Sequence, residues 1–263
     1  MRRWWLPTAF VALLSACTAP AAHVPPFARK PYEPFSRKDA IAIAKAQWRL
    51  FGSPVDDAMP GTQPPPKPWQ KPEREPGLWQ QVGIYWWLGQ NAGTFYSRWT
   101  GKHDARGKVF PADKDGNFAW SAAFISFVMR MAGAGPSFPY APDHAFYVDA
   151  AWHADRAKHP SFAVRAERPA DYAPIPGDLV CFGTGWARSL QFHDLPVPFF
   201  PGHCDIVTAA TPGMLTVIGG NVDDAVTMKH VPTTPLGRLA TPSGHVVDPR
   251  YAWFVVVRVL YAR

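Results

Sequence analysis

The stretch NFAWSAAFISFVMRMAGAG, Asn117–Gly135, decides the fold. From Ser121 onward apolar residues fall on nearly every side of a helical wheel. A helix patterned this way is wrapped by core and not laid on a surface. It stands at the centre of a domain. A serine opens its first turn, at the end of a polar loop that contains Gly116. Serine at that position has two uses. Its hydroxyl caps the helix by accepting a hydrogen bond from an N–H one turn on. Alternatively it is a nucleophile at the positive end of the helix dipole.

The rest of the chain can build a core around such a helix. Its 263 residues suit one large domain or two small ones, and 47% are hydrophobic and 14% aromatic. Charged residues make up 18%, which is not a disordered composition. Thirty prolines call for long irregular connections. Ser36 is an N-cap for a helix running to a stop at Gly52, and a proline-heavy loop follows it. A second helix is expected over Leu78–Gln90, with its aromatic residues packed in the core. A further helix starts at about Pro142, with Asp143 in its first turn. From about Ile175 the period changes to that of strands. GDLVCFG, HCDIVTAA, MLTVIGGN, AVTMKHVP and AWFVVVRVLYA read as five of them, with TPG turning the second into the third. Helices first and strands second give an α+β fold with an antiparallel sheet packed on helices. No internal repeat is present, and nothing divides residues 33–263 into two cores.

The N-terminus speaks for export. MRRWWLPTAFVALLSAC has a basic start, an apolar run from Trp4 to Leu14 too short to span a bilayer, and small residues before a cysteine. Leu14-Ser15-Ala16-Cys17 resembles the bacterial lipobox. That resemblance implies cleavage before Cys17, a lipid on Cys17, and attachment to a membrane through it. Thr18 in place of aspartate favours the outer membrane, with the protein facing the periplasm. Expected divisions are a signal peptide at 1–16, a flexible tether at 17–35, an N-terminal helix with its Pro-rich loop at 36–77, and the main domain at 78–263. Arg2 and Arg3 account for two of the seven net positive charges, leaving +5 after cleavage. No basic run is interleaved with aromatics, so nucleic acid is not an expected partner. Beside Cys17, only Cys181 and Cys204 remain, an even pair in an oxidising compartment.

Four short pieces then fall in order: Ser121-Ala122-Ala123-Phe124 at the helix start, Gly177-Asp178-Leu179-Val180, the strand HCDIV from His203, and GGN ending at Asn221. This order resembles the NlpC/P60 and CHAP superfamily of papain-like cell-wall hydrolases, and more narrowly the DUF2272 family, over roughly Leu78–Arg263. The resemblance implies a papain-like fold with Ser121 where the family has its cysteine, His203 as base and Asn221 as the residue orienting it. The expected target is then a peptidoglycan stem peptide or a related amide or acyl bond of the envelope. The alternative is a degenerate module that binds cell-wall fragments or a protein partner. Serine is the departure: a hydroxyl does not ionise at a helix end as a thiol does, so it needs a base at the moment of attack. In the topology the resemblance implies, Cys181 lies on the strand beside Cys204, which makes a cross-strand disulfide between them feasible where their Cβ atoms lie ~4 Å apart. Cys204 as a rival nucleophile points away from His203 by strand alternation.

Other readings of these residues are plainer. Asn221 after two glycines suits a turn with left-handed geometry. Asp205, two residues beyond His203, shares its face and brings a charge nearby. His144 is a second site residue on the cleft rim, or a helix cap. Trp120, Phe146 and Tyr147 line a groove, or, for Trp120 especially, fill the core. No phosphate-cradling glycine loop and no metal-ligand spacing is present, so no cofactor and no metal are expected. If Cys17 carries lipid, the wild-type protein partitions into a detergent phase and Cys17→Ala stays in the aqueous one. Equal aqueous partitioning of both contradicts the lipobox reading.

Overall fold

The computed structural model describes residues 33–65, 67–90 and 93–261. Cys17 and the leader lie outside them. Among the described residues there are four α-helices: α1 (Arg37–Leu50), α2 (Leu78–Gly89), α3 (Ser121–Met131) and α4 (His144–Arg156). Six strands follow: β1 (Val164–Glu167), β2 (Leu179–Gly183), β3 (Gly202–Thr211), β4 (Met214–Val222), β5 (Ala225–Pro232) and β6 (Trp253–Val259). They form one antiparallel sheet in the order β1-β6-β2-β3-β4-β5. The protein is therefore α+β, with α1, α3 and α4 packed on the sheet and α2 packed on α3. No described helix is long and apolar enough to cross a membrane.

Local chemistry explains the element ends. Ser36 caps α1 through its hydroxyl and Asp39 N. Gly52, at φ +85°, ends it in the left-handed region that favours glycine. Asp143 caps α4 by accepting from Ala145 N, one residue before the helix and not inside its first turn. The strand β1 has no counterpart in the sequence reading. It is a four-residue edge strand whose alternation is too short to stand out.

The all-round apolar pattern of α3 has the expected consequence. Nine of its eleven residues, Ser121–Met129, are buried. It packs on α1, α2, β3 and β4, and each large side chain so covered contributes about 1.5–3 kcal/mol. The segment 36–77 shares this core through Ala40, Ala44 and Phe51. A smaller apolar cluster, with Val180, Phe182, Val207, Val217 and Trp253, covers the other face of the sheet. Contact between α3 and β4 depends on glycine. A Cβ on Gly220 would fall 2.6 Å from Phe124 Cβ and 2.7 Å from the Trp120 ring. A larger residue there would push the sheet off the helix.

Cys181 and Cys204 are directly paired in the β2–β3 register and joined as a disulfide. Both sit in the cluster shared with α3. The bond closes a loop across a sequence separation of 23, which in the chain-entropy account stabilises by about 3 kcal/mol. Cys181→Ala/Cys204→Ala should lower the unfolding free energy by that amount, and with it the denaturation midpoint, under oxidising conditions. An unchanged midpoint would show that the bond does not constrain the unfolded chain.

Candidate active site

Ser121 is the first residue of α3, and no side chain caps that helix end. Its hydroxyl points instead across to α4, where His144 Nε2 lies 2.8 Å from Ser121 Oγ. The capping use is thus not the one adopted. His144 follows the Asp143 cap, so the turn that starts α4 aims its imidazole at the start of α3. Tyr147, one turn on, fixes the two helices together. It donates to Ala122 O at 2.5 Å and Ala141 O at 2.9 Å, and it meets the hydroxyl of Ser126. The His144 and Tyr147 rings pack edge to face.

The imidazole that meets Ser121 is therefore His144, not His203 as expected. Strand alternation gives the reason. Cys204 and Ile206 point into the core shared with α3, so His203 and Asp205 turn to the other face. There His203 Nε2 lies 2.8 Å from Asp205 Oδ1. Its ring still packs beside that of His144, with centroids 5.5 Å apart.

Asn221 does not take the orienting place assigned to it. Among the described residues it makes no hydrogen bond to His203. Between Gly219 and Val222 the β4–β5 register slips by a bulge, and Asn221 adopts φ +57° there. Its plainer reading as a left-handed turn residue matches this geometry. Asp205 stands where Asn221 was expected. Room for it comes from Gly219, where a Cβ would fall 1.9 Å from Asp205 Oδ1 and 2.7 Å from His203 Nε2.

The sequence reading missed Lys229. Its Nζ lies 2.8 Å from Asp205 Oδ2 and 3.0 Å from Oδ1, and the side chain is 1% exposed. The missed signal was phase: on β5 the lysine shares its face with Ala225, Thr227 and Val231, all buried. The result is a line of three groups, Lys229–Asp205–His203. Burial raises the Asp205 carboxyl, but Lys229 and His203 outweigh it and hold Asp205 well below the usual carboxylate range. An ionised Asp205 only accepts, so His203 presents its proton on Nε2 and leaves Nδ1 as an acceptor. Burial keeps the His203 imidazole below the usual histidine range and the His144 imidazole well below it. Both rings are neutral near pH 7.

Ser121 and His144 line a cleft of about 640 Å³. Trp86, Tyr96, Trp99, Phe146 and Phe199 contribute to its walls. Phe146 is half exposed, as a groove residue should be. Trp120 and Tyr147 are fully buried and belong to the core. The indole N–H of Trp120 donates to the buried carboxyl group of Glu73. Burial, with Asp224 and Asp115 nearby, pushes that carboxyl up to about 8. Glu73, Asp115 and Asp224 offer ligand atoms within 4.8 Å of one another. Arg74 already pairs with Asp115, and Trp120 with Glu73.

Comparison with known proteins adds one relationship. A family model described as an uncharacterized protein conserved in bacteria, DUF2272, matches residues 73–259. The chain belongs to the DUF2272 family. No curated protein and no solved structure matches it. The family match begins at Glu73, so it takes in the partner of Trp120 as well as α3, α4 and the whole sheet.

The Lys229–Asp205 pair is testable through stability. Lys229→Met strands a fully buried carboxylate and should cost about 3–5 kcal/mol in urea unfolding. Lys229→Met/Asp205→Leu, which removes both charges, should recover most of that loss. Equal destabilisation of the single and double variants would mean that the charge pairing is not what stabilises this region.

Proposed function

We propose that this protein is a serine acyl hydrolase of the bacterial cell envelope. The observation that carries the reading is the 2.8 Å contact between Ser121 Oγ and His144 Nε2 at an uncapped helix N-terminus on the wall of a cleft. A neutral imidazole at that distance is placed to act as general base. In the reaction Ser121 Oγ attacks the acyl carbon and its proton passes to His144 Nε2. The bond to the leaving group breaks, and the leaving amine or alcohol takes the proton from His144. Water then attacks the acyl-enzyme, gives a proton to the same imidazole, and releases the acid as Ser121 regains its hydrogen.

The first N–H groups of α3 have no intrahelical acceptor, and no side chain caps them. They suit the oxygen that becomes negative in the tetrahedral intermediate. His203 is a positioning residue in this scheme. Fixed by Asp205, it packs its ring against His144. Burial, His203 and Lys229 disfavour the imidazolium that forms on His144, and the Asp205 carboxylate offsets part of that. Support for the compartment comes from the Leu14-Ser15-Ala16-Cys17 ending and from the Cys181–Cys204 disulfide, which suits an oxidising space. The order of motifs resembles that of the NlpC/P60 hydrolases, which supports an amide or acyl bond of the envelope, peptidoglycan included, as the target.

Incubation with envelope fractions and mass analysis of the released products tests the reading. Ser121→Ala should abolish turnover while costing little stability, since the hydroxyl is not a cap. Ser121→Cys should keep measurable activity, because a thiol is the stronger nucleophile, without the gain of a resting thiolate–imidazolium pair that the buried His144 does not support. His144→Ala should lower kcat/KM about 10²–10⁴-fold, the usual worth of a general base, and His203→Ala by less. Because burial depresses His144, the base stays unprotonated as pH falls below the ordinary histidine value of about 6.5. The acid limb of the kcat/KM profile should therefore lie below that value. Full activity in Ser121→Ala would remove Ser121 from the chemistry. Binding without turnover in every variant would make the protein a binding module.

A further inference from the structure

The walls of the Ser121 cleft have a charge pattern unlike that of the whole chain. The protein carries 27 lysines and arginines and is net positive. Among the described residues none of them lines the cleft. Among the described residues the one formally charged side chain in its walls is Asp143, whose Oδ1 is engaged in capping α4. Apart from the α3 N–H groups, which the proposed reaction gives to the tetrahedral oxygen, the cleft offers a substrate carboxylate or phosphate no cationic partner, and Asp143 in its wall repels such a group.

Aromatic side chains occupy the entrance instead. Tyr96, Phe146 and Phe199 line the cleft and are 41%, 49% and 61% exposed. Large rings left in water around a concave site mark a surface that an apolar ligand covers. Behind them Trp86 and Trp99 pack edge to face and continue the apolar wall inward. Ser121 and His144 meet at one point of this cleft, and the neutral Asn117 and Thr184 are its other polar lining residues beside Asp143, so the charge-free part of the wall is mostly apolar.

From this we infer that the acyl group bound beside Ser121 is neutral and apolar, an aliphatic acyl chain in ester or amide linkage, and not a carboxylate-bearing peptide. The inference rests on the proposed role of Ser121 and narrows it. Among envelope targets it selects acylated molecules over the acidic stem peptide. Each methylene buried against the rings should raise kcat/KM by up to about fourfold, the equivalent of roughly 0.8 kcal/mol.

Two measurements separate this inference from the reading beneath it. Labelling of the full protein with a fluorophosphonate, followed by peptide mass mapping, reports whether Ser121 is an activated nucleophile, whatever the substrate. Calorimetric titration of the Ser121→Ala protein with octanamide, and in parallel with an N-acetylated γ-glutamyl peptide amide, reports which ligand the cleft takes, with no chemistry required. Saturable binding of octanamide, weakened by Phe146→Ala and Phe199→Ala, is the expected result, with no binding of the acidic peptide. In the wild type, kcat/KM for p-nitrophenyl esters should rise from acetate through octanoate. Binding of the acidic peptide in preference to octanamide overturns the substrate class even if Ser121 is labelled. So does a kcat/KM that does not change with chain length. Octanamide binding without labelling of Ser121 leaves the ligand class standing and removes the catalytic role.

Discussion

A buried carboxylate is the constraint around which this molecule is arranged. Asp205 is fully enclosed by the sheet and its second apolar cluster, and an unpaired charge there would be untenable. Two donors from different places satisfy it: Lys229 from β5 and His203 two residues away on β3. The arrangement demands space as well as charge. Gly219 on β4 supplies it, since any side chain would overlap the carboxylate. One charge thus links three neighbouring strands and fixes the tautomer of a histidine. Replacing the whole group by apolar residues need not cost stability, which makes the positioning of His203 the better account of why so polar a device stands here.

The same strand logic explains why the site is split between two faces. On β3, odd and even positions serve different clusters: Cys204 and Ile206 hold the sheet to α3, while His203 and Asp205 belong to the far side. A histidine at the start of β3 therefore reaches the cleft only as a ring neighbour of His144. Contact with Ser121 falls to α4, the helix that the Tyr147 hydroxyl ties to α3. The base is set by helix–helix packing and not by the sheet.

This division marks how far the sequence could be read. The all-round apolar pattern announced α3, short apolar runs with turn residues announced β2 through β6, and one cysteine on each of two such runs matched the observed disulfide. These features are local, and periodicity carries them. Lys229 escaped notice because a lysine within a strand reads as solvent-facing, and its partner lies 24 residues away. The shift from Asn221 to Asp205 came from a one-residue bulge, which reverses the face of whatever follows it. Asp205 itself was legible by alternation from His203. The pairing of His144 with Ser121 was not, because it depends on the angle at which two helices meet, and no spacing in the chain records that angle.

Serine in place of a thiol makes sense beside two neutral imidazoles. A cysteine at a helix end is poised by forming a thiolate–imidazolium pair, and the imidazolium must be tolerated at rest. Here burial keeps His144 well below the usual histidine range, and its Nδ1 has no hydrogen-bond partner among the described residues. A resting imidazolium would be poorly supported in that setting. A hydroxyl asks for charge on the ring only while it attacks, when Asp205 offsets part of the opposition from burial, His203 and Lys229. Nucleophile and base are thus matched to one environment. The dry setting that suppresses a permanent ion pair is also one in which a transient charge is most strongly influenced by fixed dipoles such as the α3 N-terminus.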